Sequence, residues 1–86
     1  MKSVCFHGEA YDHFIEWQER FPDVFEKIKI LIRDISRDPF RGLGKPEPLK
    51  HYYKGYWSRR ITLEHRIIYK FENNTITIVS LKGHYA

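Results

Sequence analysis

The sequence predicts an α+β domain with the order β-α-α-β-β-β-β, its two helices packed on one face of a twisted, mainly antiparallel sheet. Three observations carry that reading. Up to Arg37 the apolar residues recur at helical spacing, in two stretches parted by Phe21-Pro22. After the Gly/Pro-punctuated segment 39–48 the apolar period shortens to that of a strand. Asn73-Asn74 then interrupts the alternation as a hairpin turn does, because asparagine tolerates positive φ.

The elements follow in order. Lys2–His7 alternates Val4 and Phe6 and reads as a first strand, broken by Gly8-Glu9. From Glu9 to Arg20, Tyr11, Phe14 and Ile15 recur at helical spacing, with Glu16 and Glu19 outward. Pro22 disfavours helical backbone at Phe21 and ends that helix. Asp23 and Glu26 resemble a capping box opening a second helix, whose stripe is Val24, Phe25, Ile28, Leu31, Ile32 and Ile35. Asp38-Pro39 stops it. Segment 39–48 is a loop, and it does not fit a phosphate-binding P-loop: the glycine spacing is wrong and no Ser or Thr follows Lys45. Strands are then expected at Leu49–Tyr53, Tyr56–Leu63, Arg66–Phe71 and Thr75–Lys82, turned by Lys54-Gly55, Glu64-His65 and Asn73-Asn74.

The length of 86 residues allows one domain, 1–86. A composition that is 42% hydrophobic, 16% aromatic and 30% charged excludes a disordered chain. A lone Cys5 excludes an intrachain disulfide, and Cys5 reads as a packed strand residue. No apolar run reaches membrane-spanning length, and the first residues lack a signal peptide's apolar stretch, so a reducing cytoplasmic setting is expected. The five histidines show no metal-ligand spacing, and no cofactor is expected.

The net charge of +4 is unevenly spread: residues 1–38 sum to −2 and residues 39–86 to +6. A basic half attracts polyanions through its long-range field and counterion release. Side chains alternate across a strand. Trp57, Arg59, Ile61, Leu63, Ile67, Tyr69, Phe71, Thr77, Val79 and Leu81 form the more apolar set and are placed against the helices. Arg60, Arg66, Lys82 and His84 then share the open face, with Tyr56 and Tyr85 nearby. Ile68, Ile76 and Ile78 depart from this parity.

Clustered cations with stacking rings suit RNA. The chemistry that fits is phosphodiester cleavage using the RNA's own 2′-OH as nucleophile, which needs a base, an acid and cations for the transition state. Glu47, the lone acid in the basic stretch 39–63, suits the base. His84 suits the acid, and Arg66 and Arg60 suit phosphate. Glu47 could equally pair with Lys45, and Arg66 with Glu64. Composition and parity therefore leave a non-catalytic RNA- or protein-binding module open beside a ribonuclease.

The run Gly42-Leu43-Gly44-Lys45-Pro46-Glu47-Pro48-Leu49-Lys50-His51, then Gly55–Thr62, Glu64–Tyr69 and His84-Tyr85, closely resembles the YoeB/Txe family of RelE-superfamily toxins. The resemblance spans nearly the whole chain, including Trp17-Gln18-Glu19 in the first helix. It implies a RelE-like fold and an endoribonuclease that cuts mRNA in the ribosomal A site and is neutralised by a cognate antitoxin. It implies a general base at Glu47, a phosphate-stabilising arginine at Arg66, a general-acid histidine at His84 and an adjacent catalytic-site tyrosine at Tyr85. Lys50 and Arg60 are implied as supporting cations. Implied partners are the antitoxin, the ribosome with its RNA and mRNA, a second copy of the chain, and operator DNA reached through the antitoxin. Family members often end on the His-Tyr pair, whereas here Ala86 follows.

Overall fold

In a computed structural model of the chain, residues 2–83 are described here; His84 and Tyr85 lie outside them. Strand β1 (Ser3–Phe6) leads into helix α1 (Ala10–Arg20) and helix α2 (Pro22–Arg37). Strand β2 (Glu47–Pro48) and a 3₁₀ turn at His51–Tyr53 precede β3 (Trp57–Arg60), β4 (Arg66–Glu72) and β5 (Thr75–Ser80). The sheet order is β1-β5-β4-β3-β2. Among the described residues β1 and β5 run parallel and the other neighbours are antiparallel.

Pro22 starts α2, where its fixed φ and missing N–H cost nothing. The capping box expected at Asp23 and Glu26 does not form. The cap residue is Phe21, with no side-chain bond, and Glu26 pairs instead with Lys29 at 2.8 Å. The Phe21 N–H closes α1 onto the Trp17 carbonyl. The core joins Ala10 and Trp17 of α1 and Phe25, Ile28, Leu31 and Ile35 of α2 to Ile61, Ile67, Tyr69, Ile76, Ile78 and Leu81. The expected α1 stripe is thus displaced: Tyr11 is exposed and Trp17 is buried.

Three expectations for the sheet are corrected. Residues 49–53 do not form a strand. Pairing is confined to Glu47–Pro48 and the Leu49 N–H, after which His51 takes φ 57° and turns the chain. The parity of the last strand reverses, because the β4–β5 register shifts between Ile68 and Tyr69. Ile76 and Ile78 therefore sit in the core, while Leu81 returns to it beyond the shift. Cys5 is exposed, because β1 is an edge strand whose burial begins only at Phe6. Asn73 and Asn74 do turn the hairpin, with φ of 53° and 58°.

Candidate nucleic-acid site on the open sheet face

The β3–β4 register decides which side chains face away from the helices. Arg59 pairs with Ile67 and Trp57 with Tyr69 on the helix side, so Ser58, Arg60, Arg66 and Ile68 occupy the open side. Glu47 pairs with Ser58 and joins that face. Its carboxylate Oε2 lies 3.5 Å from Nη1 of Arg66, and the same Nη1 donates to Ser58 Oγ at 3.3 Å. Arg60 stands directly opposite Arg66. Two guanidinium groups facing each other repel, and one carboxylate answers them. Arg66 is only 20% exposed and Glu47 56%, so an anchored cation meets an accessible carboxylate.

The loop before β2 is fixed by Arg59, whose role the sequence reading missed. Arg59 is fully buried and donates five hydrogen bonds. Nε reaches Tyr69 Oη at 3.2 Å, Nη1 reaches Asp34 Oδ2 at 2.6 Å and the Leu43 carbonyl at 2.9 Å. Nη2 reaches the carbonyls of Asp38 at 2.6 Å and Arg41 at 3.2 Å. The Tyr69 hydroxyl donates in turn to the Pro39 carbonyl at 2.5 Å. Burial pushes the Asp34 carboxyl up, but the Leu43 N–H and the Arg59 and Arg37 guanidinium groups outweigh it and hold the group below its ordinary value. The sequence signal was present: an arginine placed in the helix-facing set needs a partner there.

From this anchor the loop enters the site through Gly44, whose carbonyl accepts the Arg60 N–H at 2.6 Å. Gly44 has φ 80°, and a methyl on it would press on Leu31 Cδ2 at 3.0 Å and the Arg60 backbone at 3.1 Å. The tight turn that brings Glu47 beside β3 therefore requires glycine here.

Glu47, Arg60 and Arg66 are gathered as expected, with Ser58 added to them. Lys50 is exposed at the head of the 3₁₀ turn. Lys82, expected on the open face, instead ion-pairs with Glu16 of α1. Lys82 lies beyond the end of β5, where strand alternation no longer sets its side. Tyr56 lies under the Lys70 ammonium, 5.6 Å from the ring centre. No group of three or more His, Cys, Asp or Glu side chains gathers to hold a metal ion among the described residues. Among the same residues no helix is long and apolar enough to cross a membrane.

Two helices on one side of a β1-β5-β4-β3-β2 sheet, with Arg60, Arg66, Lys70 and the carboxylates of Glu47 and Glu72 on the other, define a RelE-like toxin domain. A family described as the YoeB-like toxin of bacterial type II toxin–antitoxin systems matches residues 6–85. Toxin YoeB of Escherichia coli K12 is 47% identical over 77 residues, covering 90% of this chain and 92% of that one. The YoeB dimer of Staphylococcus aureus superposes with a TM-score of 0.90 at 38% identity, covering 98% of each chain. A heterotetrameric YoeB–YefM toxin–antitoxin complex from the same organism gives 0.89 at 37% identity, covering 99% of each. The chain belongs to the YoeB-like toxin family and is the toxin of a toxin–antitoxin system.

Proposed function

We propose that this toxin is a ribosome-dependent endoribonuclease that cuts mRNA in the ribosomal A site. The observation that carries the reading is the opposition of Glu47 and Arg66, 3.5 Å apart on the open face. A scissile phosphate arriving between the arginines takes the place of the carboxylate on Arg66 and relieves the Arg60–Arg66 repulsion. Glu47 is then free to remove the 2′-OH proton. The 2′-oxygen bonds to phosphorus, the bond from phosphorus to the 5′-oxygen breaks, and His84 protonates that leaving oxygen. The products are a 2′,3′-cyclic phosphate and a 5′-hydroxyl. Arg66, Arg60 and Lys50 stabilise the charge that grows on the phosphate, and Tyr85 supports the acid. The cognate partner is an antitoxin, and the chain self-associates, in keeping with the YoeB–YefM complex and the YoeB dimer of Staphylococcus aureus. Operator DNA is reached through the antitoxin.

The test is primer extension on a defined mRNA in a translating extract. Wild type is expected to give A-site cuts, and Glu47→Gln to cut about 10²–10⁴-fold more slowly, the usual worth of a general base. Undiminished cutting by Glu47→Gln would remove the carboxylate from the mechanism. Absence of wild-type cuts would leave a non-catalytic module acting with its antitoxin as a co-repressor.

A further inference from the structure

The strip that follows β5, Leu81–Gly83, is no longer in the sheet ladder, yet every one of its backbone polar groups has a partner. The Leu81 N–H donates to His13 Nδ1 at 3.1 Å, and the Leu81 carbonyl accepts from the buried Trp17 indole at 2.9 Å. Ser80 Oγ accepts the Lys82 N–H at 3.2 Å and donates to the Lys82 carbonyl at 2.9 Å. The Gly83 N–H donates to His65 Nδ1 at 2.8 Å, and the Gly83 carbonyl accepts the Arg66 N–H at 2.9 Å. The His65 ring packs edge-on against Trp17, with centroids 5.2 Å apart.

Two features separate this from ordinary fold packing. Backbone groups beyond a strand end are normally met by water, whereas here two histidine rings from α1 and from the β3–β4 connection supply the acceptors. Both rings must present an unprotonated Nδ1, because a protonated one would aim a hydrogen at an N–H. The strip also ends at Arg66, and Gly83 leaves it with φ 69°, a left-handed conformation that favours glycine.

We propose that His65 and His13 are positioning residues of the reaction, fixing through their Nδ1 atoms the Leu81–Gly83 strip that leads into His84. This rests on the ribonuclease reading, in which His84 is the general acid. A catalytic acid displaced by about 1 Å loses roughly 100-fold in rate, so the anchor of the preceding residues governs turnover. His65 acts at the last residue before His84 and dominates; His13 acts two residues earlier.

The test compares His65→Leu, which keeps apolar bulk without an acceptor, with His65→Asn, whose Oδ1 can stand where Nδ1 stood. Turnover and KM are measured for mRNA cleavage on programmed ribosomes, and exchange of the Gly83 and Leu81 amides is measured on the free protein. His65→Leu is expected to lower kcat by about 10–100-fold with KM within twofold, and to speed Gly83 exchange by at least tenfold. His65→Asn is expected to restore most of both. Gly83→Ala serves as a second variant, since a methyl there meets nothing within 4 Å and acts only through backbone strain; it is expected to lower kcat likewise. Equal losses in the Leu and Asn variants, or normal kcat in His65→Leu and Gly83→Ala, would overturn the positioning role while leaving the ribonuclease. A wild type that does not cleave would overturn both, whatever the amide exchange.

Discussion

Replacing Arg59 with leucine is expected to cost about 3–5 kcal/mol of folding free energy, the range for removing one partner of a buried ion pair. The structure places the change at that end of the scale. Five donated hydrogen bonds disappear, Asp34 loses its closest cation at 2.6 Å, and three loop carbonyls lose a donor, of which only Arg41 keeps another, from Arg37. A chain of 86 residues has a total stability of about 4–13 kcal/mol, so the loss is a large share of the whole. At about 4–8 °C per kcal/mol it lowers Tm by roughly 12–40 °C. Urea unfolding followed by the fluorescence of Trp17 and Trp57 measures it directly. Arg59→Lys is the sharper comparison. It keeps the charge but offers three donors from one point in place of a planar fork, and is expected to recover less than half of the loss. Neutralising Asp34 as well is not expected to rescue Arg59→Leu, since the carbonyls of Asp38 and Leu43 still lack the donors that Arg59 supplied. A cost below about 1 kcal/mol for Arg59→Leu, or full recovery by lysine, would refute the view that the guanidinium fork organises this loop.

Two further outcomes are expected. Gly44→Ala is expected to destabilise by about 1–3 kcal/mol through its positive φ and the contacts at 3.0–3.2 Å, and to reduce mRNA cleavage by moving Glu47; unchanged stability in chemical denaturation would contradict this. Acid is expected to destabilise the protein in two steps. Burial lowers the His13 pKa, with Lys82 adding to that and Glu9 and Asp12 opposing it, so the folded state disfavours the proton that the unfolded state takes near pH 6.5. Stability is therefore full above that pH and falls as pH drops through the lowered value. Asp34, held below its ordinary value, adds a second loss below about pH 4. His13→Asn should remove the first step from a plot of denaturation midpoint against pH.

The helices, the order of the strands and the Asn73-Asn74 hairpin were legible because each depends on local periodicity or local backbone preference. The gathering of Arg60 and Arg66 was legible by parity, since β3 and β4 pair without interruption between Trp57 and Arg60, whereas Glu47 stood out as the lone acid of a basic stretch and through the family resemblance. Parity failed where the ladder itself changes. The shift at Ile68/Tyr69 exchanges the faces of Ile76 and Ile78, and Lys82, which pairs with Glu16, lies beyond the end of β5, where alternation no longer applies. The β2 pairing failed for a different reason: His51 leaves the extended region, a choice no alternation records. Arg59 announced itself only as a charge on the wrong side. His13 and His65 could not be read at all, because each acts on a backbone N–H far away in sequence, and backbone groups leave no mark on composition.

The parallel pairing of β1 with β5 sets the timing of folding on the ribosome. Ser3 waits for Thr75, seventy-two positions later, before its register exists. During synthesis the helices can form early, but the sheet cannot close around them until its final strand has left the exit tunnel. The two edges of the candidate site differ in the same way: β3 and β4 are near neighbours in the chain, whereas the strip that β5 carries to Arg66 arrives last. A nascent copy thus completes its working face only after the strip beyond β5 has been made.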